Sequence, residues 1–248
     1  MNKKILITGA TSGIGEALTR LADKRHYSVI ACGRNADKLT ELKQLENVET
    51  LQFDVTDELA SRRALANIQC DIAVLNAGTC EYVDVDAIEP AMFHRVFEPN
   101  FFGVVNCVAA LRHSLMAGDQ LVIIDSLARL LPFTKSQAYG ASKAALHYFT
   151  KTLEVDLSKD GIIVQSVSPG FVETPLTDKN DFDMPMKISV EEAAEDLLDG
   201  IESKTRNVYF PTRFSLLLRL LNALPEGFQK KMCINMIKSM KKSRHKHD

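Results

Sequence analysis

The chain has no tryptophan, and its five cysteines, at 32, 70, 80, 107 and 233, are odd in number, widely spaced and without a C-x-x-C pair. That pattern excludes a disulfide scaffold and predicts reduced thiols in a cytoplasmic protein. Long apolar runs are missing too: no stretch approaches the ~18 apolar residues of a membrane-spanning helix. Met1-Asn2-Lys3-Lys4-Ile5-Leu6-Ile7 imitates the start of a signal peptide, but the apolar run breaks at Thr8-Gly9, too early for an export signal. Neither sign of charge prevails. Lys+Arg number 30 against 32 Asp+Glu, a net charge of −2, so there is no whole-protein basic field for nucleic acid. His26, His94, His113 and His147 have no ligand spacing with cysteine or carboxylate, and His245 and His247 sit in a basic, solvated end, so no metal is expected.

What is present is an ordinary globular composition, 46% apolar and 25% charged over 248 residues, with no internal repeat and no linker. Residues 1–248 are therefore read as one domain. Short apolar runs at 5–7, 29–31, 51–53, 72–75, 121–124, 162–164 and 208–210 read as seven strands. Helical periods lie between them, at roughly 13–25, 37–45, 57–68, 100–117, 138–159 and 190–203. Continuously apolar strands imply a sheet buried on both faces, and the alternation of strand with helix implies right-handed crossovers. The expected fold is α/β: a Rossmann-like, doubly wound, mostly parallel sheet with helices on both faces.

The first strand runs into Thr8-Gly9-Ala10-Thr11-Ser12-Gly13-Ile14-Gly15, and a helix follows. Such a turn lets backbone N–H groups and the positive end of the helix dipole meet a dinucleotide's pyrophosphate. Gly9 suits the tight turn, Gly13 the close approach and Gly15 the packing of helix on strand. After the second strand, where an NAD site carries a carboxylate, Arg34 stands instead, and its planar fork suits a ribose 2′-phosphate. NADP(H) is thus favoured over NAD(H). Asp54, after the third strand, either accepts from an adenine amino group or caps the helix near Asp57.

Tyr139 and Lys143 lie four residues apart in a helical stretch, hence on one face. A tyrosine hydroxyl, with its ordinary pKa of about 10, is a poor proton donor and acceptor at neutral pH; a nearby ammonium favours the phenolate and lowers that pKa. Ser126, 13 residues earlier, falls at the carboxyl end of the fifth strand, where doubly wound folds bind ligands. Asn100 opens the helix at 100–117, as its cap or as a water anchor on a proton path.

Taken in order, the glycine turn, Asp54-Val55, Asn76-Ala77-Gly78, Asn100, Ser126, Tyr139-Gly140-Ala141-Ser142-Lys143 and Pro169-Gly170-Phe171-Val172-Glu173-Thr174-Pro175 resemble the short-chain dehydrogenase/reductase family over residues 3 to about 210. The resemblance implies an NAD(P)-dependent oxidoreductase that moves hydride between nicotinamide and a carbonyl or alcohol. It implies Tyr139 as general acid/base, Lys143 on the nicotinamide ribose and lowering the tyrosine pKa, Ser126 orienting the substrate oxygen, and Asn100 anchoring the water that links Lys143 to solvent. It implies a cofactor contact at Gly9, Thr11, Ser12, Gly13, Ile14, Gly15, Arg34, Asp54, Val55, Asn76, Ala77, Gly78, Tyr139, Lys143, Pro169, Gly170, Val172 and Thr174. Two departures stand out: Ser12 replaces the basic residue that often precedes the second glycine of the turn, and Arg129 stands where a glycine is common. Arg129 either binds an acidic substrate group or faces solvent. By analogy the chain forms a homodimer or homotetramer through the helices at 100–117 and 138–159. Two other readings are a nucleotide sensor without turnover and a membrane-peripheral lipid or steroid reductase.

Leu130, Phe133, Leu176, Phe182, Met184, Met186 and Ile188 suggest an apolar substrate wall. From Arg213 onward two amphipathic helices are expected, one carrying Phe214, Leu217, Leu218, Leu221 and Leu224, the other Phe228, Met232, Met236 and Met240. Residues 226–248 hold seven basic and two acidic side chains, a net +5 that leaves −7 for the rest. This 213–248 extension packs on the core or a sister subunit, covers the cleft, or docks on an anionic membrane.

Overall fold

A computed structural model describes residues 2–177 and 184–244, with side chains as far as Met236. Seven strands form one sheet: β1 (Lys4–Thr8), β2 (Ser28–Gly33), β3 (Val48–Gln52), β4 (Ile72–Leu75), β5 (Gln120–Ile124), β6 (Ile163–Pro169) and β7 (Asn207–Phe210), in the order 3-2-1-4-5-6-7. All six pairings are parallel.

The helices are α1 (Gly13–Lys24), α2 (Ala36–Leu42), α3 (Glu58–Leu65), α4 (Pro90–Phe97), α5 (Gly103–Leu111), α6 (Gln137–Leu157), α7 (Val190–Glu202), α8 (Thr212–Asn222) and α9 (Glu226–Arg244). Side-chain alternation along the strands builds two cores. Ile5, Ile7, Ile72, Val74 and Val122 face α1 and α7, whereas Leu6, Ala73, Leu75, Leu121 and Ile123 face α3, α5 and α6. Both faces being covered explains the unbroken apolar runs.

The strand order reverses between β1 and β4, so a crevice opens beyond their carboxyl ends, at Thr8-Gly9 and Asn76. The helix α4 and the turn after it differ from expectation. The spacing predicts a helix opening at Asn100; instead α4 runs into a π-helical turn, Glu98–Phe102, before α5. Pro99 has no N–H to give to the preceding turn, and a helix that loses that bond widens there. Asn100 therefore caps nothing and is fully buried.

Candidate active site

The glycine turn is built by sterics. Gly9 and Gly13 take left-handed backbone angles, φ +67° and +54°. A side chain on Gly15 would begin 2.2 Å from the Gly9 carbonyl, and one on Gly9 would begin 2.8 Å from the Ala77 Cα. Asn76 ties the turn to β4: its backbone N–H donates to Thr8 Oγ1 at 3.0 Å and its Nδ2 to the Thr8 carbonyl at 3.1 Å. Ser12 precedes α1 but its side chain does not cap the helix, which leaves the first-turn N–H groups directed at the crevice. This cradle fits the pyrophosphate of a dinucleotide.

A cleft of about 190 Å³ runs from that turn to the ends of β5 and β6. Of the residues singled out from the sequence, Gly9, Ser12, Gly13, Ile14, Asn76, Ala77, Gly78, Ser126, Tyr139, Lys143, Pro169, Gly170, Val172 and Thr174 line it. Thr11, Gly15, Arg34, Asp54, Val55 and Asn100 do not. Thr11 packs over Gly33, leaving 2.6 Å for any side chain there. Arg34 projects into solvent and meets Asp54 at 3.2 Å. Asp54 caps no helix: Asp57 does, accepting from Ala60 at 2.9 Å, while Asp54 accepts from Thr56 N and Oγ1 at 2.9 and 2.8 Å. Burial works to raise the Asp54 pKa, but the Thr56 and Arg34 bonds outweigh it and hold the group below its ordinary value.

At the far end of the cleft, the end of β5 and one face of α6 bring three side chains together. Ser126 is buried; its hydroxyl accepts from Ala128 N at 3.1 Å and bonds to Tyr139. Lys143 is buried and donates to the Ile124 carbonyl at 2.9 Å, its Nζ lying 5.9 Å from the centre of the Tyr139 ring. Burial lowers the Lys143 pKa to about 8, against a partial rise from the Asp125 charge. Asn100 works from behind the wall. Its Oδ1 accepts from Thr79 N at 2.7 Å, and its Nδ2 donates to the Thr79 carbonyl at 2.9 Å and to Ser142 Oγ at 3.0 Å.

One expectation is corrected. The ammonium does not acidify the tyrosine in the protein alone. Loss of water pushes the Tyr139 pKa above the ordinary phenol value, the Cys80 and Asp125 charges add to the rise, and the Ser126 bond opposes it. Two others concern the substrate wall. Arg129 does not face solvent; its side chain turns inward onto Asp125 at 3.2 Å. Leu130 is buried with Leu127, Leu131 and Phe214, and Ile188 is buried in the core and paired with Val172. Leu176 alone of the proposed wall lines the cleft among the described residues, and Phe182 lies outside them.

Sequence reasoning missed a buried polar cluster beneath Ser126. Asp125 accepts from Ser166 Oγ at 2.8 Å and from Ser168 Oγ, and meets His147 Nδ1 at 2.7 Å besides Arg129. The available signal was a carboxylate at the end of an apolar strand run, which needs buried partners. Among the described residues no group of three histidine, cysteine or carboxylate side chains is placed to hold a metal ion.

Comparison with known proteins extends this picture. The sequence model of the short chain dehydrogenase family matches residues 3–184. A sulfoacetaldehyde reductase of Chromohalobacter salexigens is 35% identical over 193 residues, 71% of this chain and 75% of that one. An NADPH-dependent 1-acyldihydroxyacetone phosphate reductase of Schizosaccharomyces pombe is 32% identical over 188 residues, 71% and 62% of the two chains. The closed form of a serine dehydrogenase complexed with NADP+ superimposes with a TM-score of 0.76 at 25% identity, covering 84% of this chain and 94% of that one.

Proposed function

The chain belongs to the short-chain dehydrogenase family of oxidoreductases, and from that premise we propose an NADPH-dependent carbonyl reductase in which Tyr139 is the general acid/base. The observation that carries this reading is the convergence of Ser126, Tyr139 and Lys143 at one end of a cleft whose other end is the glycine turn. In this reading residues 1–248 form one nucleotide-binding domain, with 213–248 as an extension.

The turn from Gly9 to Gly15 and the start of α1 hold the pyrophosphate, Asn76-Ala77-Gly78 flanks the adenosine ribose, and Pro169, Gly170, Val172 and Thr174 hold the nicotinamide end. A nicotinamide dinucleotide seated there supplies the hydride. Tyr139 gives its proton to the carbonyl oxygen, and the Ser126 hydroxyl hydrogen-bonds the same oxygen as negative charge develops on it. Lys143, with a pKa of about 8, is mostly ammonium at neutral pH, and places positive charge beside the phenol when the proton leaves. Asn100 holds Thr79 and Ser142 in place and in this reading would anchor the water that links Lys143 to solvent.

The phosphate-bearing cofactor is supported by Arg34, whose guanidinium stands at the end of β2 with its outer face open. The NADPH dependence named for the yeast relative and the NADP+ held by the serine dehydrogenase point the same way. Exposed Phe102, Tyr148 and Val155, on and beside α5 and α6, support a homodimer or homotetramer through those helices. A cytoplasmic setting follows from the thiol usage; no described helix is long and apolar enough to cross a membrane.

Tyr139→Phe tests the chemistry. NADPH oxidation with a panel of carbonyl compounds should fall at least ~100-fold, the usual contribution of a positioned acid, while NADPH binding followed by fluorescence stays within about threefold. Turnover equal to that of the unaltered enzyme overturns the assignment.

A further inference from the structure

The extension beyond β7 lies outside the residues that the family model matches, and α8 in it is apolar on two opposite sides. Its inner side is explained. Phe214 and Leu218 bury themselves with Cys233 of α9 against Leu127, Leu130 and Leu131, the segment that follows Ser126. Its outer side is not. Leu216, Leu217 and Leu220 are 54%, 47% and 61% exposed, and Leu224 and Phe228, on the way into α9, are 44% and 65% exposed. No described residue of the chain covers this row. An exposed apolar strip of that length on a helix already anchored by its other face marks a surface built to meet something apolar.

Charge identifies what it meets. Arg213, Arg219, Lys230 and Lys231 are exposed around the strip, with Arg219 laid over the Tyr209 ring at 4.5 Å. In sequence, residues 226–248 carry a net +5. A second copy of this extension would set cations against cations while covering the leucines. A bilayer with anionic headgroups satisfies both features, because acyl chains take the leucines and phenylalanine while phosphate groups take the lysines and arginines. No described helix is long and apolar enough to cross the bilayer, so the contact is made by a helix lying in the interface. We propose that the α8–α9 extension docks this protein on the surface of an anionic lipid bilayer through Leu216, Leu217, Leu220, Leu224 and Phe228, with Arg213, Lys230 and Lys231 on the headgroups. The docked helix shares its inner wall with the segment after Ser126, which keeps the cleft at the membrane surface.

The test uses the full chain and is independent of the carbonyl chemistry. The protein is sedimented with vesicles of phosphatidylcholine alone and with vesicles containing 30% phosphatidylglycerol, and its oligomeric state is measured by light scattering. Binding is expected to the anionic vesicles, with little to the neutral ones, and to weaken with added salt. Lys230→Gln with Lys231→Gln should weaken it about 10- to 30-fold, since each cation near an anionic surface is worth roughly a fivefold change. Leu216→Gln with Leu220→Gln and Phe228→Gln should abolish it while leaving the circular dichroism melt unchanged, because those side chains touch no core. Equal binding to neutral vesicles, no binding to anionic ones, or loss of a dimer rather than of vesicle binding in the leucine variant each overturns the proposal.

Discussion

At the scale of single residues, burial decides the electrostatics of the cleft more than pairing does. Lys143 leaves water almost completely, so its ammonium is disfavoured and its pKa falls to about 8. The unfolded chain, with an ordinary lysine near 10.4, then binds more protons than the native one between those values. Lys143 therefore costs the native state stability below pH 8 and costs progressively less as pH rises toward 10. Lys143→Met is expected to be more stable than the native sequence at pH 7, by on the order of a few kcal/mol less the lost bond to the Ile124 carbonyl, with the gap closing as pH rises above 8. Chemical denaturation of both proteins across pH 7–10 measures it, and taking the difference cancels Cys32, Cys70 and Cys107, whose thiols burial pushes up in the native state while they ionise in that range in the unfolded chain. Arg34 offers a second test at this scale. Its pair with Asp54 is exposed and worth no more than about 1 kcal/mol, so Arg34→Ala should leave the melting temperature alone. The ratio of NADPH to NADH affinity, measured by cofactor fluorescence, should fall at least ~10-fold, the worth of a charge-assisted bond.

At the scale of elements, the ends of β5 and β6 form the stage on which the candidate site stands. Asp125 carries almost no exposed area and holds Arg129, His147, Ser166 and Ser168. Removing one partner of such a buried pair strands the other, at a cost of about 3–5 kcal/mol. Asp125→Ala should therefore lower the melting temperature by roughly 6–20 °C, whereas Asp54→Ala, at a half-exposed site outside the cleft, should lower it by only a few degrees; calorimetry compares them. The turn between β1 and α1 is equally unforgiving. Gly15→Ala would place a methyl 2.2 Å from the Gly9 carbonyl, so the turn must open, and cofactor binding by fluorescence should fall below detection.

At the scale of the whole molecule, the extension after β7 is packed onto the α/β core, because its inner face completes a third apolar cluster. Truncation after Phe210 would expose Leu127, Leu130 and Leu131, each worth about 1.5–3 kcal/mol when buried. The shortened chain should bind a hydrophobic dye such as anilinonaphthalene sulfonate and melt earlier; a truncated protein with unchanged melting and no dye binding would show that the cluster contributes nothing to stability.

The amino-acid sequence by itself determined whatever depends on local periodicity and on order along the chain. The apolar runs gave all seven strands, since a sheet buried on both faces needs unbroken apolar residues. Gly9, Gly13 and Gly15 announced the turn because few residues tolerate such angles and approaches, and the i, i+4 spacing placed Tyr139 and Lys143 on one helix face. Only the tertiary structure decided what depends on surroundings. It set the direction of the Tyr139 shift, because desolvation is a property of the neighbours and not of the residue. It turned Arg129 inward onto an acid beside Ser126, and it placed Asn100 in a widened turn rather than at a helix start. It also divided α8 into a buried and an exposed apolar side, a distinction invisible to a count of leucines, since both sides of the helix carry them and only packing shows which one the core has claimed.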